Sequence, residues 1–193
     1  MTHPITISPT PCRTRAGFTL PELLVTMLIA AVMVSLAVPG VTTVIKDNRA
    51  ATQVNEFITA IHLARSEAIK RGQRVTLCKS SSGTACTLSD GWEKGWIVFA
   101  DADADAVFDP GEELIRVHGE LSGSTTLNGS GNVADYISYV ATGLSTLTSG
   151  ASQSGVVVWC DDRGFGDDAR AISLSPTGRA RAVEASASGA SGC

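Results

Sequence analysis

The chain has 193 residues, 15 Lys and Arg against 19 Asp and Glu, and a formal charge of −4. At about 100–200 residues per domain this is one globular unit with room for an appendage, and 44% apolar against 18% charged residues exclude a disordered chain. A net acidic chain has no bulk charge for nucleic acid, so such binding needs a local basic patch, and three His leave little for a metal centre or a catalytic triad, which weighs against an enzyme.

The apolar residues are unevenly spread. Residues 1–17 are polar, contain Pro, and carry Arg13 and Arg15 without an acidic residue. Residues 18–38 then read FTLPELLVTMLIAAVMVSLAV, with Glu22 as the one charge. About 20 apolar residues span a bilayer as a helix. Basic residues ahead of the run hold that end in the cytoplasm, so the rest is expected beyond the inner membrane. An ordinary secretory signal, cut at the small residues Ser35 to Ala37, is the alternative, and would make the chain a secreted enzyme. Glu22 argues against it. A carboxylate inside an apolar segment costs roughly 2.5–3.5 kcal/mol on insertion scales, and a disposable signal has no use for it.

The stretch from Arg15 to Leu24, RAGFTLPELL, resembles the class III leader of type IV prepilins and type II secretion pseudopilins. Pro39 matches that pattern as well. The resemblance implies cleavage between Gly17 and Phe18 by a prepilin peptidase and N-methylation of Phe18. It also implies an inner-membrane assembly platform and other major and minor pilins as partners. The expected location is the inner membrane, single-pass, with a cytoplasmic N-terminus and a periplasmic head, and then the pilus fibre. In a filament of packed apolar helices, Glu22 needs a cation, and the new α-amino group of Phe18 on a neighbouring subunit is the nearest candidate. A charge left unpaired in such a bundle is costly, so the pair would set axial register.

After Pro39, apolar residues fall at Val41, Val44, Ile45, Ala51, Val54, Phe57, Ile58, Ile61, Ala64, Ala68 and Ile69, close to the helical period. Gly72 is a C-cap candidate. The expected element is one helix over residues 20–71, kinked near Pro39. His62 is expected on its surface or boundary, without a ligand partner.

From Gln73 onward the pattern turns to strands, at residues 74–79, 95–100, 113–118, 136–141, 156–160, 171–175 and 179–183. The fold class is therefore α+β, a long helix against one of two small antiparallel sheets in a sandwich-like head. The segments are a leader (1–17), a membrane and filament-core helix (18–39), an amphipathic half (40–72) and a head (73–193). Residues 119–155, rich in Gly, Ser and Thr, are expected to be the most irregular and mobile part. Val75 to Cys78, Gly95 to Phe99, Glu113 to Arg116 and Ser175 to Arg179 resemble the GspH/FimT-like minor pilins and pseudopilins. Trp92 and Trp96 read as core packing.

Cys12 falls in the leader. Cys78, Cys86, Cys160 and Cys193 are an even number in an oxidising compartment, which points to disulfides. Four cysteines allow three connectivities; Cys78 and Cys86 bracket a short loop and are the local choice. Cys160 then remains to tie down Cys193. Asp101, Asp103, Asp105, Asp109 and Glu112 occupy positions 1, 3, 5, 9 and 12 of a calcium loop. Position 6 is Ala106 where such loops use Gly, and the flanks read as strands. The expectation is a solvated acidic loop and no cofactor, with Ca²⁺ the weaker reading.

Pro176-Thr177-Gly178 reads as a turn. On a return strand Arg179 and Arg181 share a face, roughly 6.6 Å apart, a spacing that suits a phosphate backbone. Arg163 and Arg170 could extend this patch. The Gly178-Arg179-Ala180-Arg181 stretch resembles the DNA-binding motif of FimT-like minor pilins that serve DNA uptake in natural transformation, which implies double-stranded DNA as a partner. Opposed to this is an exposed strand whose arginines pair with Asp161, Asp162, Asp167 or Asp168. The expected function is a minor type IV pilin, with a type II secretion pseudopilin as the alternative.

Overall fold

The structure, a computed structural model, describes residues 17–190 and 192–193, and at 36–39 the backbone alone. Residues 1–16 of the leader and the kink expected at Pro39 lie outside what is described. The chain divides into two compact units, one ending at Val44 and the other Ile45–Cys193. Helix α1 (Leu20–Arg71) contributes to both.

In the first unit the described side chains of α1 are exposed on every face, Leu20 at 74% and Met33 at 68%. A helix that is apolar all round finds cover in lipid or among other apolar helices. Among the described residues it is the one helix long and apolar enough to cross a membrane.

In the second unit α1 becomes amphipathic. Ala50, Val54, Phe57, Ile61, Ala64 and Ala68 are buried at helical spacing, and the alanines let the sheets approach closely. Ile45, Ala51 and Ile69 are exposed, so the buried stripe is narrower than the periodicity suggested; Val41 and Val44, also exposed, belong to the first unit. His62 is exposed, as expected. The helix ends at Gly72, whose φ of +67° is the left-handed value of a C-cap, with its N–H bonded to the Ala68 carbonyl at 3.0 Å.

The strands in chain order are β1 (Val75–Lys79), β2 (Trp96–Ala100), β3 (Leu114–His118), β4 (Thr126–Gly129), β5 (Tyr136–Tyr139), β6 (Gly155–Cys160), β7 (Arg170–Leu174) and β8 (Ala180–Glu184). They form two antiparallel sheets, ordered β3-β2-β1-β5 and β4-β6-β7-β8. One apolar core joins Leu77, Val98 and Ile137 of the first sheet to Leu127, Trp159 and Ile172 of the second, with α1 in the same cluster. The helix therefore packs on both sheets rather than one. Phe57 meets the rings of Trp92 and Trp96 edge-on at 5.0 and 5.1 Å. The Trp159 Nε1–H donates to Gln53 Oε1 at 2.8 Å, and Gln53 Nε2 donates to the Ser122 carbonyl at 2.8 Å, so the buried helical amide is fully used.

Residues 119–155 are more regular than expected. They contribute β4 as well as β5, and Gln153, fully buried, donates to the Asn132 and Tyr136 carbonyls while accepting the Ser138 N–H. Strand β4 has one inward apolar residue, Leu127, too few to show a period of two.

Removing the ring that the indoles enclose should be costly. We expect Phe57→Ala to destabilise by about 3–5 kcal/mol and to lower the melting temperature of the detergent-solubilised chain by about 10 °C. Leu88→Ala, at a side chain 78% exposed, should leave it unchanged. Thermal melts followed by tryptophan fluorescence check both.

Candidate nucleic-acid interface

The hairpin β7–β8 lies at the edge of the second sheet, with β8 outermost. Its turn is built from local chemistry. The Gly178 N–H donates to the Ser175 carbonyl at 2.9 Å, the Ser175 N–H to the Arg179 carbonyl at 3.0 Å, and the Arg179 N–H to Ser175 Oγ at 3.1 Å. Pro176 suits the first central position of this turn, and Gly178 takes φ +77°. A Cβ at Gly178 would also lie 2.5 Å from the Gly143 carbonyl oxygen. The tip is thus pressed against the rest of the head, where the Gly178 carbonyl accepts Tyr139 Oη–H at 2.9 Å and Arg65 Nη1–H at 3.3 Å. Burial pushes the Tyr139 phenol far above its ordinary pKa, against the pull of Arg65, so it remains a donor.

This clamp orients the arginines. Ala180 is buried toward the core, and Arg179 and Arg181, one residue to either side, are exposed on the opposite face. Among the described residues neither guanidinium has an ion-pair or hydrogen-bond partner. The same outer face carries Val158, Ala171 and Val183, over which the tail folds through Ala185 and Ala190. The tail is held by the Cys160–Cys193 disulfide, and Cys78–Cys86 closes the loop after β1.

Arg163 and Arg170 do not extend this patch. They lie at the other end of β7, roughly 15 Å from the turn at strand rise. Arg163 is bound by Asp47 at 2.7 Å, Asp161 at 2.9 Å and Asp168 at 2.9 Å, and its side chain is 17% exposed. Lys46 takes Asp162 at 2.8 Å. Arg170 donates to the Asp167 and Ala169 carbonyls. Asp161, Asp162 and Asp168, expected as rivals for Arg179 and Arg181, are therefore held elsewhere. Arg65, which sequence reasoning missed, brings a helical guanidinium to the hairpin tip; nothing in its local sequence marks it, because the contact spans distant parts of the chain.

Two further predicted sites are separate from the hairpin. Asp101, Asp103 and Asp105 gather within 4.8 Å of one another, without Asp109 or Glu112. Gly17 and Phe18 precede α1, and Glu22 lies in its first turn, where Oε2 accepts the Thr19 N–H at 3.5 Å.

Burial works to raise the Asp161 carboxyl, but hydrogen bonds from the Arg163 guanidinium and backbone N–H hold it below its ordinary pKa. A depressed carboxylate stabilises the fold above its unfolded pKa, near pH 4, and loses that contribution as pH falls through the folded value. Arg163→Gln should therefore cost about 1–3 kcal/mol near neutral pH, after allowance for the half-exposed Asp47 and Asp168. Urea midpoints for the two proteins should converge as pH falls below about 4.

A sequence profile described as "Type II transport protein GspH" matches residues 53–178, and one described as "Prokaryotic N-terminal methylation motif" matches residues 12–38. The pilin-like protein PilA1 of Thermus thermophilus is 34% identical over 107 residues, a match covering 54% of this chain and 60% of that protein. The type IV minor pilin FimU of Pseudomonas aeruginosa superposes with a TM-score of 0.54 at 20% identity, covering 72% of this chain and 91% of FimU. The minor pseudopilin EpsH of the Vibrio cholerae type II secretion system gives 0.50 at 9% identity, over 72% of this chain and 97% of EpsH. At such identities the structural likeness is one of fold.

Proposed function

The chain belongs to the GspH family of minor pilins and pseudopilins, and we propose that it is a minor subunit of a type IV pilus that contacts double-stranded DNA through Arg179 and Arg181. The observation that carries this reading is electrostatic. Five aspartates lie near the β6–β7 end of the hairpin, yet four of them are engaged by Arg163 and Lys46, and the two arginines beyond the turn are exposed and unpaired. A guanidinium in that state, on an edge strand with a rigid turn, is free to take a phosphate in a bidentate contact. Alternate residues of a strand present two such groups in one row. Gly178 fixes the row by allowing the turn to press on Tyr139.

Two cations make a weak, salt-sensitive site. The full chain in non-ionic detergent should retard linear duplex DNA at about 50 mM salt and lose most of that binding by about 200 mM. Arg179→Ala/Arg181→Ala should reduce the slope of log K against log salt by about 2, near 0.9 for each phosphate no longer neutralised. Arg163→Gln should leave the slope unchanged. Equal binding by wild type and the double variant would remove the assignment and leave the secretion pseudopilin as the better reading.

For assembly, the chain would insert as a single-pass inner-membrane protein, N-terminus cytoplasmic and head periplasmic. Cleavage after Gly17 by the prepilin peptidase would then free the Phe18 amine for methylation. Glu22 would pair with that amine on a neighbouring pilin as the assembly platform adds the subunit. Glu22→Ala should insert normally yet be depleted at least several-fold from sheared fibres, because an uncompensated terminal amine disfavours docking among apolar helices. Immunoblots of membrane and fibre fractions measure this directly.

A further inference from the structure

We propose that the β2–β3 loop is a calcium site, with the carboxylates of Asp101, Asp103 and Asp105 as its protein ligands. The loop runs from Asp101 to Glu113, far longer than the two to five residues usual for a hairpin connection, and it is built rather than slack. Phe108 packs edge-on against Phe99 at 5.3 Å, fastening the middle of the loop to β2. Glu112 closes its two sides, with Oε1 accepting the Ala102 N–H at 2.9 Å and Oε2 the Asp109 N–H at 3.1 Å. Glu112 thereby shapes the loop, and it stands outside the group of converging carboxylates.

Within that frame the first, third and fifth positions converge, their ligand oxygens all within 4.8 Å of one another. The sixth position decides whether such a loop can turn, and glycine usually fills it because the backbone there is left-handed. Ala106 adopts that conformation, at φ +64°, and Ala104 does so at +69°. The absence of Gly therefore does not prevent the turn.

The independent observation is at Asp101. Its residue is 1% exposed. Oδ2 accepts Thr76 Oγ1–H at 2.6 Å and the Ala106 N–H at 3.3 Å, while Oδ1 is buried with no hydrogen-bond partner. A buried carboxylate oxygen without a partner is costly, and this one belongs to the acidic group itself. The Arg74 guanidinium is spent on Ser138 and on the Thr146 and Leu147 carbonyls. Among the described residues no Lys or Arg forms an ion pair with the three aspartates. A hard divalent cation would satisfy Oδ1 and relieve the repulsion together. All-oxygen ligation on a loop open to water suits Ca²⁺, which tolerates irregular geometry, better than Mg²⁺, which requires a near-ideal octahedron.

The test uses the full chain in non-ionic detergent, melted in EDTA and in Ca²⁺ up to about 10 mM. The melting temperature should rise by several degrees, half-maximally between about 10⁻⁴ and 10⁻³ M, as for extracellular calcium modules. Asp103→Asn/Asp105→Asn changes two exposed side chains, so it should fold, melt in EDTA no lower than wild type, and lose the calcium response. Equilibrium dialysis with radioactive Ca²⁺ should find about one ion per wild-type chain at about 1 mM and none on the double variant. No bound ion and no shift in the wild type, an undiminished response in the variant, or an equal response to Mg²⁺ would each overturn the proposal.

Discussion

The head depends on a single ring. Phe57 projects from α1 between Trp92 and Trp96, both fully buried, and the same helical face carries Gln53 to the Trp159 indole N–H. One stripe of one helix therefore touches both sheets. The apolar face of a sheet must be buried against another element, and here two four-stranded sheets share the same helical cover. The long helix is in this sense the structural centre of the head, although its first half is built for an apolar environment elsewhere. The alanines beside Phe57 matter as much as the ring. Ala60, Ala64 and Ala68 are all buried and keep the backbone close enough to the sheets for large residues to fill the remaining space.

From that core the constraint reaches the hairpin through the Gly178 carbonyl. Tyr139 ends β5 on the first sheet, Arg65 rides on the helix, and both donate to a turn that belongs to the second sheet. The three layers meet at one oxygen. Arg179 follows immediately, so its position inherits the rigidity of the core rather than that of a free loop. Two exposed arginines on a floppy turn would lose conformational entropy on binding that this arrangement has already lost on folding.

Much of this was legible in the sequence, for physical reasons that differ by element. The apolar run is read directly, because a bilayer sets the length of apolar helix that crosses it. Seven of the eight strands showed short apolar runs between turn residues. Strand β4 did not, since TLNG offers only Leu127 to the core and is held by pairing with β6. The exposure of Ile45 was also hidden: its spacing matches a buried stripe, but the first buried residue of the helix in the second unit is Ala50. The hairpin was visible because its turn chemistry is local. The fate of Arg163 was not, because the partner Asp47 lies far away in sequence and only folding brings the two together.

That last case explains how an acidic protein keeps a cationic edge. Lys46, Asp47, Asp161, Asp162, Arg163 and Asp168 carry more negative than positive charge, and they settle their pairings among themselves where α1 meets the β6–β7 connection. The next strand, β7, separates them from the turn by roughly 15 Å, more than a Debye length at about 0.15 M salt. At that distance the surplus aspartate charge is largely screened at the hairpin tip. The formal charge of −4 and a local cationic edge are therefore compatible, provided the strand between them is extended and the acidic cluster is tied to its own cations. Folding separates the charges by a strand length, and the sign felt by a partner is set by where it touches the head.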